Sequence, residues 1–412
     1  MSLSNITLTA AVRQNLLSLQ GTADLLAQTQ TRLATGKKVN SALDNPTNFF
    51  TAAGLDARAS DISNLLDAIG NGVQVLQAAN TGITSLSSLV DTAKSIANQV
   101  LQQSTGYTVK ASATSLAPTS GGAGTATDLT NAGGNSLDGK TFIFTPAVGA
   151  ATTITISHTV AAGNVNSIDA FNAALASAGL GLTASLASDG SITLTSTNDN
   201  ASQTLTTGTT AAANNIAIGG TDTATLVTPT GGSAGAPVAD SVSQATRASL
   251  VAQYNQVIQQ ITTTAQDSSF NGINLLNGDS LKLVFDETGK SSVTIAGVTF
   301  NPAGLGLKSL TAGTDFIDNA STNNILTALN TASVTLRSQA SAFGANLSIV
   351  QIRQDFNKNI INVLQTGSAN LTLADSNEEA ANSQALSTRQ SIATSALALA
   401  NQSQQNVLQL LR

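Results

Sequence analysis

Val12, Leu16, Leu19, Ala23, Leu26 and Leu33 follow one another at alternating steps of four and three, with Gln30 filling the one gap. That rhythm predicts a helix with a single apolar stripe. Leu3, Ile6 and Leu8 carry the apolar character to the start. A second and longer stripe runs from Ile62 through Leu66, Ile69, Val73, Leu76, Ala79, Ile83, Leu86, Val90, Ala93 and Ala97 to Val100. As a helix this span would measure about 58 Å at 1.5 Å per residue. Gly70, Gly72 and Gly82 lie inside it, each costing roughly 1 kcal/mol in helix propensity, so packing against partners must hold it.

Between these stripes stands RLATGKKVNSALDNPTNFF, residues 32–50. Thr35-Gly36-Lys37-Lys38 stops one helix, and Asn45-Pro46 starts the next, with Asn as cap and Pro at the first helical position. The segment is too long and polar for a simple turn, so it reads as a link between two stacked helical tiers.

From Ser104 to Asp240 the periodicity changes. The chain becomes rich in Thr, Ser, Ala and Gly, and short alternating runs appear at 140–146, 152–159 and 191–197. These predict strands, with one helix near 167–179. PTGGSAGAP, 229–237, reads as the exit linker. Helical periodicity resumes at Ser241 through Leu250, Tyr254, Val257 and Ile261. SSFNGINLL, 268–276, carries an Asn-Gly turn signal, and 281–300 reads as a hairpin closed near Asp286-Glu287-Thr288-Gly289. A third stripe runs from Ile325 through Leu336 and Val350 to Ile361 and Leu364. The break after it is placed at 365–380, marked by Gly367 and Asp375. The last stripe holds Leu386, Ala393, Ala396, Ala400, Val407 and Leu410, with Arg389 and Ser403 at its remaining positions and Leu397, Leu408 and Leu411 widening it.

The elements therefore occur in one order and return in reverse. Helices at opposite ends can pair only if the chain doubles back as a long hairpin with the strand-rich middle at its tip. The expected fold is mainly α, a coiled-coil hairpin of terminal helices and long inner helices with a β-hairpin, carrying a β-rich outer insert.

Composition narrows the function. Of 412 residues, 17 are Lys or Arg and 23 Asp or Glu, and 10% in all are charged, against roughly 25% in ordinary soluble domains. A polar surface with little charge suits close packing against copies of the same chain, and equally an extracellular protein of low charge. The acidic balance, net −6, gives no footprint for nucleic acid. No apolar run is long enough to span a membrane, and the first residues lack the pattern of a cleaved secretory signal. Cysteine is absent, which removes disulfides, thiol catalysis and Cys-ligated metal.

Catalytic handles are few. The single histidine, His158, falls on a predicted strand as a solvent-facing side chain with no general-base partner close in sequence. The insert has no Glu and lacks the His-Glu-x-x-His pattern of a zinc protease. No Asp-x-Asp-x-Asp-Gly calcium loop appears. SGGAGTATD, 120–128, lacks the Gly-Lys-Thr ending of a phosphate loop. Glu378-Glu379 offsets a helix dipole. Lys37-Lys38 reads as solvated, or paired with Asp44 or a neighbouring subunit. No enzyme, cofactor or metal is expected.

With these residues in view, the chain resembles bacterial flagellin. TRLATGKKVNSALDNP is similar to the signature after that family's first helix, SSFNGINLL to its inner-domain turn, and ANQSQQNVLQLLR, 400–412, to its ending. Asn45 stands where a second Asp is common. The resemblance covers about 1–103 and 241–412, while 104–240 matches no pattern and lies where flagellins vary.

The resemblance implies a structural subunit of the extracellular flagellar filament, exported unfolded through the flagellar type III channel. It implies residues 1–40 as the first core helix and linker, 41–103 and 241–365 as the inner helical domain, and 366–412 as linker and last core helix. Leu16, Leu19, Leu26, Leu33, Ala400, Val407, Leu410 and Leu411 would pack subunits. Arg32, Thr35, Gly36, Lys37, Asp44 and Pro46 would form the inter-tier link, and Phe270, Asn271 and Gly272 the inner-domain turn. The hairpin near 281–300 would be where the filament changes helical form. Implied partners are other subunits, an export chaperone at about 366–412, and hook-associated and cap proteins, with no nucleic acid or membrane. The rival readings are a hook–filament junction protein and a surface adhesin acting through 104–240.

Overall fold

The computed structural model describes residues 10–115, 124–130, 137–144, 152–159, 161, 163–205, 215–218, 226–227 and 233–410. Leu3, Ile6, Leu8 and Leu411 lie outside them.

Along the chain, α1 is Ala10–Thr35 and α2 is Pro46–Gln102. The second helix starts well before the predicted stripe, because Ala52 and Ala59 continue its buried face toward the N-terminus. At 57 residues it is about 86 Å long. The insert follows with β1 Tyr107–Val109, β2 Ser112–Thr114, β3 Thr141–Phe144, β4 Thr152–Ile156, β5 Asn164–Val165, α3 Ile168–Ser177, β6 Leu182–Leu186, β7 Ile192–Ser196, β8 Asn215–Ile218, β9 Leu226–Val227, β10 Ser233–Gly235 and β11 Val238–Ala239. Then come α4 Ser241–Asp267, β12 Leu281–Val284, β13 Ser292–Ile295, α5 Asn319–Thr372 and α6 Ser376–Leu410. The fold is thus mainly helical, with terminal helices and a strand-rich middle.

The chain divides into two units. The first takes residues up to Gln74, the segment Leu281–Ile295 and everything from Asn346 onward. In it α1 pairs with α6, and Ala59 and Ile62 of α2 cluster with Leu364 of α5. The β12–β13 hairpin is antiparallel, with Leu281 opposite Ile295 and Leu283 opposite Val293. Its loop is tied by Asp286, whose carboxylate accepts from the Ser291 N–H at 2.9 Å and from the Thr288 hydroxyl. Leu283 fills the space over Gly72, and the buried Asn357 amide of α5 donates to the Phe285 carbonyl at 2.9 Å.

The second unit takes Val75–Ser280 and Ala296–Ala345. It buries Leu76, Ile83, Leu86 and Val90 of α2, Leu250, Tyr254 and Ile261 of α4, and Leu329, Leu336 and Phe343 of α5. Its strand-rich part holds a four-stranded antiparallel sheet in the order β10-β2-β7-β6 and a mixed sheet in the order β5-β4-β3-β8-β9. One core joins Phe142, Phe144 and Ile156 to Phe171 and Leu175 of α3. Phe142 meets Phe171 edge to face at 5.0 Å.

Three sequence expectations are corrected. The hairpin ends at Ile295, because Val298 and Phe300 donate instead to the Leu275 and Leu276 carbonyls at 2.7 and 2.8 Å. Gly297 allows that crossing, since a Cβ there would lie 2.0 Å from the Asp279 carbonyl oxygen. The expected return break at 365–380 shrinks to Leu373, Ala374 and Asp375, with α5 continuing through Gly367. A Cβ at Gly367 would make only an ordinary 3.4 Å contact with Leu55, and the helix runs through this glycine without a break. Finally, the described part of the exit linker is not free chain, since its residues 233–235 form β10, which pairs with β2.

Candidate assembly surface

The two ends of the chain meet in the α1–α6 pair. On α6 the half-buried positions are Ser383, Leu386, Gln390, Ala393, Leu397 and Ala400, again at steps of three and four. This seam is rotated by one position from the predicted stripe. Arg389 and Ala396 face solvent, while Gln390 and Leu397 face inward. The rotation spares the pair a buried charge. On α1, Val12, Thr22 and Thr29 are buried, Leu19, Ala23 and Leu26 half-buried, and Gln30 exposed. The Thr22 hydroxyl is satisfied by the Ser18 carbonyl at 2.8 Å.

The seam is thin, and larger apolar side chains are left outside it. Leu16 is 38% exposed and Leu33 43%, and Leu17 and Leu25 on α1 and Ile392 and Leu399 on α6 are more exposed still. Of the remaining predicted packing residues, Val407 and Leu410 fall within α6.

Below the pair, both connectors are stitched backbone to backbone. Lys37 bridges Leu373, the Lys38 N–H donates to the Thr372 carbonyl at 2.7 Å, and the Ala374 N–H donates to Gly36 at 2.9 Å. Gly36 takes φ +67°, the left-handed conformation that ends α1. Arg32 reaches Glu379 at 3.3 Å, across 347 residues of sequence. Thr35 donates its hydroxyl to the Thr31 carbonyl at 2.8 Å. Asp375 caps α6, accepting from the Asn377 N–H at 2.9 Å.

The longer connector is rigidified by Asp44. Its carboxylate accepts from the N–H groups of Ser41 and Asn40, both at 2.9 Å, and these bonds hold its pKa below the ordinary value. Asp44 is thereby engaged within its own loop rather than with Lys37 or Lys38. Asn45 accepts from the Asn48 N–H at 3.0 Å, so Pro46 opens α2 behind an Asn cap.

In the second unit, Phe270 and Ile273 exchange two backbone bonds of 3.0 Å around Asn271 and Gly272, at φ +50° and +79°. That is the type I′ turn that Asn-Gly favours.

Sequence reasoning missed several residues. Asn274, buried, donates to the Ala265 and Gln266 carbonyls at the end of α4 and accepts from the Leu276 N–H. Arg247, 1% exposed, donates to the carbonyls of Ser104 and Phe316 at 2.7 and 3.0 Å and to Asn319. Burial pushes its pKa down. No periodicity marks either residue, since each acts on carbonyls brought near by the fold.

His158 is also corrected. It lies beyond the end of β4, and its Nδ1 sits 2.6 Å from Asp138 Oδ2, so a carboxylate partner does exist. The His158 N–H also donates to Asp138 at 3.1 Å, which holds the Asp138 carboxyl below its usual range. His158 is exposed and Asp138 half-buried, and the pair ties the end of β4 to the turn before β3. Among the described residues no group of three His, Asp or Glu side chains converges to hold a metal. None of their helices is long and apolar enough to cross a membrane.

Comparison with known proteins agrees with this architecture. The model of the bacterial flagellin N-terminal helical region matches residues 6–119, and that of the C-terminal helical region matches 326–411. Flagellin FljM of Caulobacter vibrioides is 30% identical over 173 residues, 42% of this chain and 62% of FljM. FljO and FljK of the same organism are 29% and 28% identical over 173 residues, again 62% of each relative. The chain therefore spans about three-fifths of the length of these relatives. With both helical regions matched at the two ends that the fold brings together, the chain belongs to the bacterial flagellin family.

Proposed function

We propose that this chain is a non-enzymatic structural subunit that polymerises through its terminal helices into the extracellular flagellar filament used for swimming. The observation that carries this reading is the α1–α6 pair, with its narrow seam and its leucines and isoleucine left facing outward. Apolar surface in that quantity on thin helices is costly in water, and burying it against neighbours contributes about 25 cal/mol per Å², less the cost of ordering the chain. Few charges oppose close packing of copies. In this reading Leu16, Leu19, Leu26, Leu33, Ala400, Val407, Leu410 and Leu411 pack subunits in the core of the tube. Residues 104–240 face solvent, an export chaperone takes about 366–412, and hook-associated and cap proteins bound the polymer.

Electron microscopy of purified subunits seeded with short filament fragments tests the proposal, beside a version lacking residues 1–40 and 370–412. Long tubes from the intact chain alone are expected. Seeds that are capped and never lengthen would identify a junction protein instead. No interaction with seeds would leave an adhesin acting through 104–240.

A further inference from the structure

The first unit has a second apolar stripe that none of its own elements covers. On α5, Val350, Asn357 and Leu364 face inward and are buried. Ile349, Ile352, Phe356 and Val363 lie on another side of the same helix, at steps of three, four and seven, and are between 49 and 66% exposed. The stripe runs about 21 Å along the axis. Four large apolar side chains in line are a docking edge rather than scattered surface residues.

Charge and relief point to what covers it. Lys358 and Asp355 pair with each other on α5 at 3.4 Å, so the charge left beside the stripe is the exposed Arg353, and two such stripes brought together would oppose like charges. The exposed side of α2 in the same unit has the opposite character. Phe50 stands there at 65% exposure, followed by exposed Ala53, Ala57 and Ser60, small side chains that leave shallow relief for bulky ones. Asp56, Asp61 and Asp67 are exposed around it. The one basic residue of that stretch, Arg58, is engaged with Glu287 of the hairpin at 2.5 Å.

We propose that the stripe Ile349–Ile352–Phe356–Val363 of one copy docks on the α2 face around Phe50 and Ala57 of a second copy. The two faces differ, so the contact is heterologous and each copy keeps one free face after binding, which is the geometry of an open polymer rather than a closed dimer. The inference rests on the polymer reading above and adds to it a specific contact outside the terminal helices.

The absence of native cysteine makes the test direct. Full-length chains carrying Ile352→Cys, Ala57→Cys or both are assembled on seeds, oxidised and separated without reductant. The double variant is expected to give a ladder of covalent oligomers, because its two thiols meet across copies, while each single variant stays monomeric. Phe356→Glu, at an exposed position, is expected to keep the helical circular dichroism of the free subunit and slow seed elongation at least tenfold. Covalent dimers from Ile352→Cys alone would replace this contact with a symmetric one. Tubes that form normally without a ladder would overturn the contact and leave the polymer reading intact. No tubes from the unsubstituted chain would overturn both.

Discussion

Two glycines in the second unit separate helix propensity from packing. Gly82 lies in α2, where a Cβ would fall 2.2 Å from Ser268 Oγ and 2.7 Å from a Leu276 methyl. Gly344 lies exposed in α5, and a Cβ there meets nothing within 4 Å. Both substitutions to Ala gain the propensity difference, about 1 kcal/mol. Gly344→Ala should keep all of it. Gly82→Ala must displace the 268–276 loop, whose Ser268 hydroxyl is held by the Thr264 carbonyl at 2.6 Å. Overpacking of this kind costs about 1–3 kcal/mol, so after the propensity gain the net effect is a destabilisation of up to about 2 kcal/mol, centred on about 1 kcal/mol. The two variants should thus differ by roughly 2 kcal/mol in opposite directions, or on the order of 4–8 °C in Tm for a unit of this size. Thermal unfolding of free subunits followed by circular dichroism measures it. Equal stabilisation by both would refute the close seating of the loop on α2.

Three further outcomes are expected. Arg247→Met leaves the Ser104 and Phe316 carbonyls without a buried donor, so the second unit should lose about 2–4 kcal/mol, read as a lower urea midpoint; an unchanged midpoint would remove Arg247 as its anchor. Glu379→Gln weakens a partly buried ion pair whose side chains are 30% and 10% exposed, at about 0.5–1 kcal/mol, so exchange of the Lys38 and Ala374 amides should quicken about two- to fivefold, and unchanged exchange would show that the backbone bridge stands alone. Asp44 is held below its ordinary 3.8, so its contribution is present above that pH and is lost as pH falls through the lower folded value. The Asn40 and Ser41 amide resonances should therefore hold constant above pH 3.8 and move together only below it, and movement at higher pH would contradict the assigned bonds.

Much of the helical frame was legible because it rests on local rules. Stripe periodicity placed the helices, Asn45-Pro46 set the start of α2, and Asn271-Gly272 specified its turn. The register of the terminal seam was not legible, because Leu386, Ala393 and Ala400 fit two neighbouring stripes. Only the partner's geometry and the cost of burying Arg389 choose between them. Long-range polar ties were hidden for a different reason. Arg32–Glu379, Arg58–Glu287 and His158–Asp138 join residues that share no sequence neighbourhood. Gly367 looked like a breaker because a glycine signals a stop by itself, and only the packed length of α5 shows the helix continuing through it.

The stitched connectors have a consequence for biosynthesis. Arg32 cannot meet Glu379, 347 residues further on, nor Gly36 meet Ala374, until all the intervening chain has been made, and a loop that large closes against considerable chain entropy. The first helix is therefore made early and finds its own partner last. A chain truncated anywhere before residue 376 retains α1 but lacks the helix that completes it. Closure of the clasp thus acts as a length check, and only chains that reach α6 can present the helix pair.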